Sequence, residues 1–267
     1  MRKYLTFFKI RFIAGLQYRA AAWAGVATQF AWGTLSILMF RAFFETAPDA
    51  FPMTFSQLSS YIWLQQAFLG MFMSWFFDKE IFETVQSGSI AYELCRPTDL
   101  YALWFTKNVA VRLSRTALRC VPILAVAVFL PQPYGLSAPC GALQFLLFLV
   151  SMALGTAVLT AFSMIIYVST LYTVSHVGIV TLAVSTIEFF SGALIPLPFF
   201  PEGLQRVIYY LPFASIQNTP FLIYIGRLSA SEALGAIALQ LGWFAALVAI
   251  GVTWMRGSLR RVVIQGG

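Results

Sequence analysis

The chain has 267 residues and a formal net charge of +7, with 60% hydrophobic residues, only 10% charged residues and a mean hydropathy of +0.79. About a quarter of the residues of an ordinary soluble domain are charged, so this balance excludes a water-soluble globular protein and points into a bilayer. The basic residues flank apolar runs and form no stripe along a soluble face, which reads as membrane topology and excludes a nucleic-acid partner.

Several apolar runs approach the roughly 20 residues needed to cross a hydrocarbon core of about 30 Å, so the chain is expected to be one all-α membrane domain over 1–267. Residues 1–20 come first. Leu5, Phe8, Phe12 and Leu16 fall within an arc of about 80° on a helical wheel, with Arg2, Thr6, Lys9 and Gln17 beside them. This predicts an interfacial amphipathic helix, although Ile10 and Ile13 fall off the stripe; a plain basic flank that sets orientation is the alternative. The apolar run that follows is too long for a signal-peptide core and lacks a cleavage site, so it reads as a retained first span.

Hydropathy predicts six spans, at 21–43, 59–77, 108–130, 141–168, 174–195 and 232–254. With a cytoplasmic N-terminus, Arg2, Lys3, Lys9, Arg11, Arg19, Lys79, Arg96, Lys107, Arg112, Arg115, Arg119, Arg256, Arg260 and Arg261 fall on the inner side or the inner part of span three. Only Arg41, Arg206 and Arg227 fall outside, so both termini are expected in the cytoplasm.

Segment 78–107, between spans two and three, holds half of the ten acidic residues: Asp78, Glu80, Glu83, Glu93 and Asp99. It also carries Ile81, Phe82, Val85, Ile90 and Leu94, which make it too apolar to stay bare in water. A docking surface is expected rather than a solvated connection.

Arg112, Arg115 and Arg119 lie at i, i+3 and i+7 and project from one face of span three. Counting back from Pro131 at 1.5 Å per residue places Arg119 about 18 Å deep, near mid-membrane. Arg112 and Arg115 are expected to snorkel to the inner headgroups. Arg119 reads either as a member of a structural ion pair or as a lining for anionic headgroups, and the three arginines with Glu188 are the candidates for a translocation path. Glu188 is the only acidic residue well inside a span, where a carboxyl group is protonated or paired; Arg119 is a conceivable partner.

Segment 196–231 changes pattern. Pro196, Pro198, Pro201 and Pro212 punctuate a stretch too apolar for an ordinary solvated loop. Pro201 suits the first turn of a short helix carrying Leu204, Val207, Ile208 and Leu211, and Pro212 stops it. A second short apolar run follows at 220–225. Runs this short dip into a membrane without crossing it, which leaves two readings: an external cap or a gate. Ala238, Gly242 and Ala246 in span six, with Ala153, Ala157 and Ala161 in span four, repeat small residues every four positions and are expected to be helix contacts.

No phosphate loop, dinucleotide fingerprint, zinc-protease motif or nucleophile elbow is present, and His176 is the single histidine. Cys95, Cys120 and Cys140 are scattered without metal-ligand spacing, so neither a metal site nor a disulfide is expected. Chemistry by this chain alone is not expected. Energy for any transport has to come from a partner or from an ion gradient.

Two stretches carry a family resemblance. One runs from Glu83 to Pro97 and includes Gly88-Ser-Ile and Leu94-Cys-Arg-Pro97; the other is Ser191-Gly-Ala-Leu-Ile-Pro-Leu-Pro-Phe-Phe-Pro201, continuing through Tyr210-Leu-Pro212. In order and spacing the chain resembles the ABC-2 type permease family, the membrane subunits of one class of ATP-binding-cassette transporters. The resemblance implies a coupling helix within 78–94 that docks on an ATPase subunit. Glu80, Glu83, Glu93 and Arg96 would make the contact, Gly88 would allow a turn and Pro97 would end the element. It further implies a second permease, identical or related, and alternating access through the dimer interface. ATP and magnesium would belong to the partner, with no cofactor in this chain. Apart from the resemblance, the segment between spans five and six supplies the external gate candidates Gly192, Pro196, Pro198, Pro201 and Pro212, on short external or re-entrant helices. Family members mostly export, which makes export across the bacterial inner membrane the expectation; the family does not fix the cargo, and the 26 phenylalanines fit a hydrophobic or amphipathic one as well as they fit lipid-facing helices. An ion-coupled carrier or channel using Arg119 and Glu188 is the alternative from a different class.

Overall fold

The computed structural model describes residues 2–173 and 176–260, and its described residues are helical with no strand. In chain order the helices are α1 (Arg2–Leu16), α2 (Arg19–Thr46), α3 (Phe55–Ala67), α4 (Leu69–Phe72), α5 (Lys79–Gln86), α6 (Ile90–Leu94), α7 (Leu100–Phe129), α8 (Ala142–Ser169), α9 (Val177–Phe190), α10 (Glu202–Tyr209), α11 (Asn218–Tyr224) and α12 (Ala230–Leu259). The expected start of the fifth span at Val174, and Arg261 with the tail after it, lie outside the described residues.

Helices α8 and α12 are long and apolar enough to cross a membrane by length and composition. Helices α2 and α7, of 28 and 30 residues, would extend about 42 and 45 Å, which also exceeds the hydrocarbon core. Local signals start several of these elements. Thr54 and Gln57 form a reciprocal capping box at α3, Ser229 and Glu232 form another at α12, and Asp99 caps α7 by accepting from Ala102 N at 2.8 Å.

Helix α7 is the axis of one half of the bundle and contacts α1, α2, α3, α4 and α8; α8 and α12 pack together in the other half. Inside that second pair Gln240 is fully buried and satisfied: its amide donates to the carbonyls of Ser151 at 3.1 Å and Ser215 at 2.8 Å, and accepts from Ser151 Oγ at 2.9 Å.

Four expectations are corrected. The second span, 59–77, is not one helix: α3 stops at Ala67, α4 adds one turn, and the backbone from 73 to 78 is irregular. Unpaired backbone is costly away from water, and Arg112 supplies the missing donors. The fifth span, 174–195, contains only the 14-residue α9, about 21 Å long, followed by turns. The small-residue stripe of α12 does not make the α8 contact, since Ala238 and Gly242 are exposed and the buried face is Ala233, Ala236, Gln240, Leu247 and Gly251. On α8, Gly155 closely approaches the Ile216 carbonyl, and of the alanine series Ala161 is fully buried in the core. Finally, α1 turns Tyr4, Phe7, Phe8, Arg11, Phe12 and Gly15 inward, while Leu5, Ile10 and Ile13 are exposed as a second apolar face.

Candidate functional site: a braced segment beneath the bundle

Segment 78–107 folds as two short helices and the first turns of α7. Asp78 starts α5 by accepting from Glu80 N at 3.0 Å, and its own N–H donates to Tyr167 Oη at 2.6 Å. On α5 the residues i and i+1 that face the bundle are Ile81 and Phe82, both buried with Ile90, Trp104 and Tyr167 in one apolar cluster. Gly88, at φ +74°, makes the left-handed turn between α5 and α6 that a residue with a Cβ adopts only at a cost.

Charges brace this element from behind. Lys107 Nζ, on α7, lies 2.9 Å from Asp78 Oδ2 and 2.5 Å from Glu80 Oε2, and Arg11 of α1 adds a longer contact to Glu80 at 3.6 Å. Lys107 and Asp78 side chains are 7% and 16% exposed, so this pair is desolvated, whereas the Glu80 carboxylate is 61% exposed. The hydrogen bond from Lys107 holds the Glu80 pKa below its ordinary value. At α6, Trp104 Nε1 donates to Glu93 Oε2 at 2.8 Å. Helix α1 closes the far side, where Lys3 Nζ donates to the Pro97 carbonyl at 2.5 Å and Asp99 N donates to Tyr4 Oη at 2.9 Å.

The residues expected to contact an ATPase therefore divide into two groups. Glu80 and Glu93 are engaged by Lys107 and Trp104, and Gly88 and Pro97 shape the backbone. Glu83 and Arg96 are exposed and have no ion pair among the described residues. Tyr92, 77% exposed, and Leu94 stand beside them. Composition alone does not reveal that Tyr92 belongs to the outward face; its position two residues after the buried Ile90 was the available signal.

A second tether reaches α9. The His176 ring stacks on Phe82 with centroids 4.0 Å apart and an 8° interplanar angle, and His176 Nδ1 lies 3.2 Å from Gln86 Nε2. The lone histidine joins α5 to the start of α9, a pairing that no spacing in the sequence announces.

The four candidates for a translocation path do not converge. Arg112 does not snorkel: it is fully buried, and Nη1 donates to the carbonyls of Met71 at 3.1 Å and Met73 at 2.8 Å. Its Nη2 faces Phe76 O at 3.5 Å and Ser163 Oγ at 3.3 Å, and Nε donates to Asn108 Oδ1 at 2.6 Å. The planar guanidinium thus caps the break in the second span, because five fixed donors match several converging acceptors. Asn108 at i−4 was the sequence signal for this role. Arg115 lies over the Phe76 ring at 3.7 Å, and Arg119 lies against Gly25 of α2. Glu188 accepts from Ser74 Oγ and makes no ion pair with Arg119.

The residues expected at an external gate surround a buried polar knot. Tyr61 Oη lies 3.2 Å from both the Gly192 carbonyl and Asn218 Oδ1, two acceptors that share its single proton, and Asn218 Oδ1 also accepts from Leu197 N at 3.4 Å. Gly192 has φ +80°, and a Cβ there would lie 2.6 Å from Tyr61 Oη. Pro196 precedes a single 3-10 turn, Leu197–Phe199, that includes Pro198; Pro201 caps α10, and Pro212 follows it. Gln205 Nε2 ties α10 back to the carbonyls of Pro198 at 3.0 Å and Phe200 at 2.6 Å. Tyr61 and Asn218 were not legible as a pair, since 157 residues separate them.

A search of curated proteins finds no match to this chain. The family model described as ABC-2 family transporter protein matches residues 30–266, which takes in every helix described here except α1 and the first third of α2. The chain belongs to the ABC-2 family of transporter proteins.

Proposed function

We propose that this protein is the permease subunit of an ABC transporter and that α5 and α6 are the element by which a separate ATPase subunit moves it. The observation that carries this reading is the division of segment 78–107 into a braced inner side and a free outer side. Lys107, Trp104, Tyr167 and α1 hold α5 and α6 to the bundle, so force applied to the exposed Glu83, Tyr92, Leu94 and Arg96 reaches α7 and α9 with little slack. An ordinary connecting loop has no need of such bracing.

In this reading ATP and magnesium belong to the partner, and a second permease, identical or related, completes the path. The chain crosses the bacterial inner membrane six times with both termini in the cytoplasm. Helices α2, α7, α8 and α12 have the required length, and the distribution of Lys and Arg supports that orientation. The α3–α4 pair and α9 with its following turns would supply the other two crossings. The cargo is hydrophobic or amphipathic and moves outward by alternating access, with Tyr61, Gly192 and Asn218 as the hinge of an external gate.

The test is co-purification of the cognate ATPase subunit with Glu83→Lys and Arg96→Glu variants of this chain. The proposal expects assembly to fall and substrate-stimulated ATP hydrolysis to be lost while the membrane chain stays folded. Full assembly and hydrolysis in the double variant would remove the coupling assignment.

A further inference from the structure

Two guanidinium groups on α7 make no ion pair among the described residues. Arg115 and Arg119 stand at i and i+4, where like charges repel, and neither makes an ion pair or hydrogen bond among the described residues. Both are partly buried. A cation withdrawn from water without a counter-charge is expensive, so this pair calls for an anion that the chain itself does not supply.

The surroundings of Arg115 form a site. A cavity of about 520 Å³ opens between α7 and residues 73–79, lined by Val111, Arg115, Trp75, Phe76, Asp78 and Lys79 among others. The guanidinium carbon lies 3.7 Å from the centroid of the Phe76 ring, a cation–π contact that holds the group against this wall of the cavity. Lys79, at the start of α5, makes no ion pair among the described residues. The one carboxylate in the cavity, Asp78, is paired with Lys107 at 2.9 Å, a lysine it shares with Glu80. Against that one carboxylate the cavity wall carries two basic groups, Arg115 and Lys79, and is otherwise mostly aromatic and aliphatic. Trp75 stands half-exposed at its edge, as an amphipathic ring does at a membrane interface.

Depth identifies the anion. Counting from Pro131 at 1.5 Å per residue places the Arg115 Cα about 24 Å from the outer boundary, or about 6 Å from the inner edge of a 30 Å core, within reach of an extended arginine. Charge and apolar wall meet here at the level of the inner-leaflet phosphates.

We infer that this cavity binds an anionic phospholipid of the inner leaflet, its headgroup phosphate between Arg115 and Lys79 and its upper acyl chain against Trp75, Phe76 and Val111. The site does not depend on the transport reading. The lipid would bridge α7 and the start of α5.

The test uses the purified full-length chain in phosphatidylcholine nanodiscs titrated with labelled phosphatidylglycerol, and in parallel with labelled phosphatidylcholine. Wild type is expected to retain phosphatidylglycerol preferentially. Lys79→Gln and Arg115→Gln should each weaken that preference about fivefold, as one basic contact near a charged surface does, and the double variant should abolish it. Arg115→Lys should restore part of it. Lys79 is exposed, so Lys79→Gln carries the test even where Arg115→Gln proves misfolded. Equal retention of both lipids by wild type, or a preference surviving in the double variant, overturns the site. Displacement of phosphatidylglycerol by millimolar inorganic phosphate assigns the cavity to a free anion and overturns the lipid; failure of phosphate to compete supports it.

Discussion

Lys107 Nζ lies 2.9 Å from Asp78 Oδ2, and this contact closes the gap between α7 and the N-cap of α5. Because both side chains are largely desolvated, their attraction exceeds that of a surface pair, and so does the penalty when one partner is removed. Lys107→Met is therefore expected to destabilise the protein by about 3 kcal/mol. The loss should appear as early proteolysis within 78–99 before global unfolding, as limited digestion followed by mass spectrometry would show.

The Glu80 carboxylate gives the same brace a pH dependence. Its pKa is depressed by the Lys107 hydrogen bond, so the stabilisation is fully present above the ordinary carboxylate value of 4.5 and is lost as pH falls below it through the folded value. Wild type is expected to lose more protection of α5 as pH falls below 4.5 than Glu80→Gln does. Hydrogen exchange of α5 at several pH values measures the difference, and parallel pH profiles would refute it.

Arg112 predicts a different failure. Lysine has one ammonium in place of a planar fork and cannot serve Met71, Met73, Ser163 and Asn108 together. Arg112→Lys is expected to cost about 2 to 3 kcal/mol and Arg112→Ala about 3 to 5 kcal/mol, with unfolding beginning at the α3–α4 break. Thermal unfolding in detergent gives the ranking, and an unchanged transition for Arg112→Ala would contradict the capping role.

At Gly192 the φ of +80° and the crowding against Tyr61 act together. Gly192→Ala is expected to cost about 1 to 2 kcal/mol from the left-handed backbone alone. Tyr61→Phe keeps the backbone and removes the proton that its two acceptors share, at about 1 to 2 kcal/mol. If this knot is a gate hinge, Tyr61→Phe alters transport more than it alters folding, which paired transport and unfolding measurements would separate.

Much of the architecture was legible because hydropathy and punctuation report on solvent. The helical class, the long α7, α8 and α12, and the short helix between Pro201 and Pro212 followed from apolar run length and proline position. The broken second span was not, because the run 59–77 is apolar enough overall to read as one span, and the carbonyls freed at its break are satisfied by an arginine some 40 positions later in the chain. The coupling segment was visible as an acidic and apolar island, yet which acids face inward depends on Lys107 and Trp104, partners that only the turn back into α7 brings near. Glu188 and Arg119 suggested each other only because each lacked any other visible partner; Ser74 was too ordinary a residue to be anticipated.

Cys95 and Cys140 are both exposed and lie on segments assigned to opposite sides of the membrane, and they allow the central claim to be measured directly. A membrane-impermeant maleimide applied to spheroplasts should label Cys140 and spare Cys95. In inverted vesicles it should label Cys95, and the bound ATPase should protect that residue, which adjoins the exposed Arg96. Labelling of Cys95 in spheroplasts, or equal labelling in vesicles with and without the ATPase, would contradict a cytoplasmic docking surface on α5 and α6.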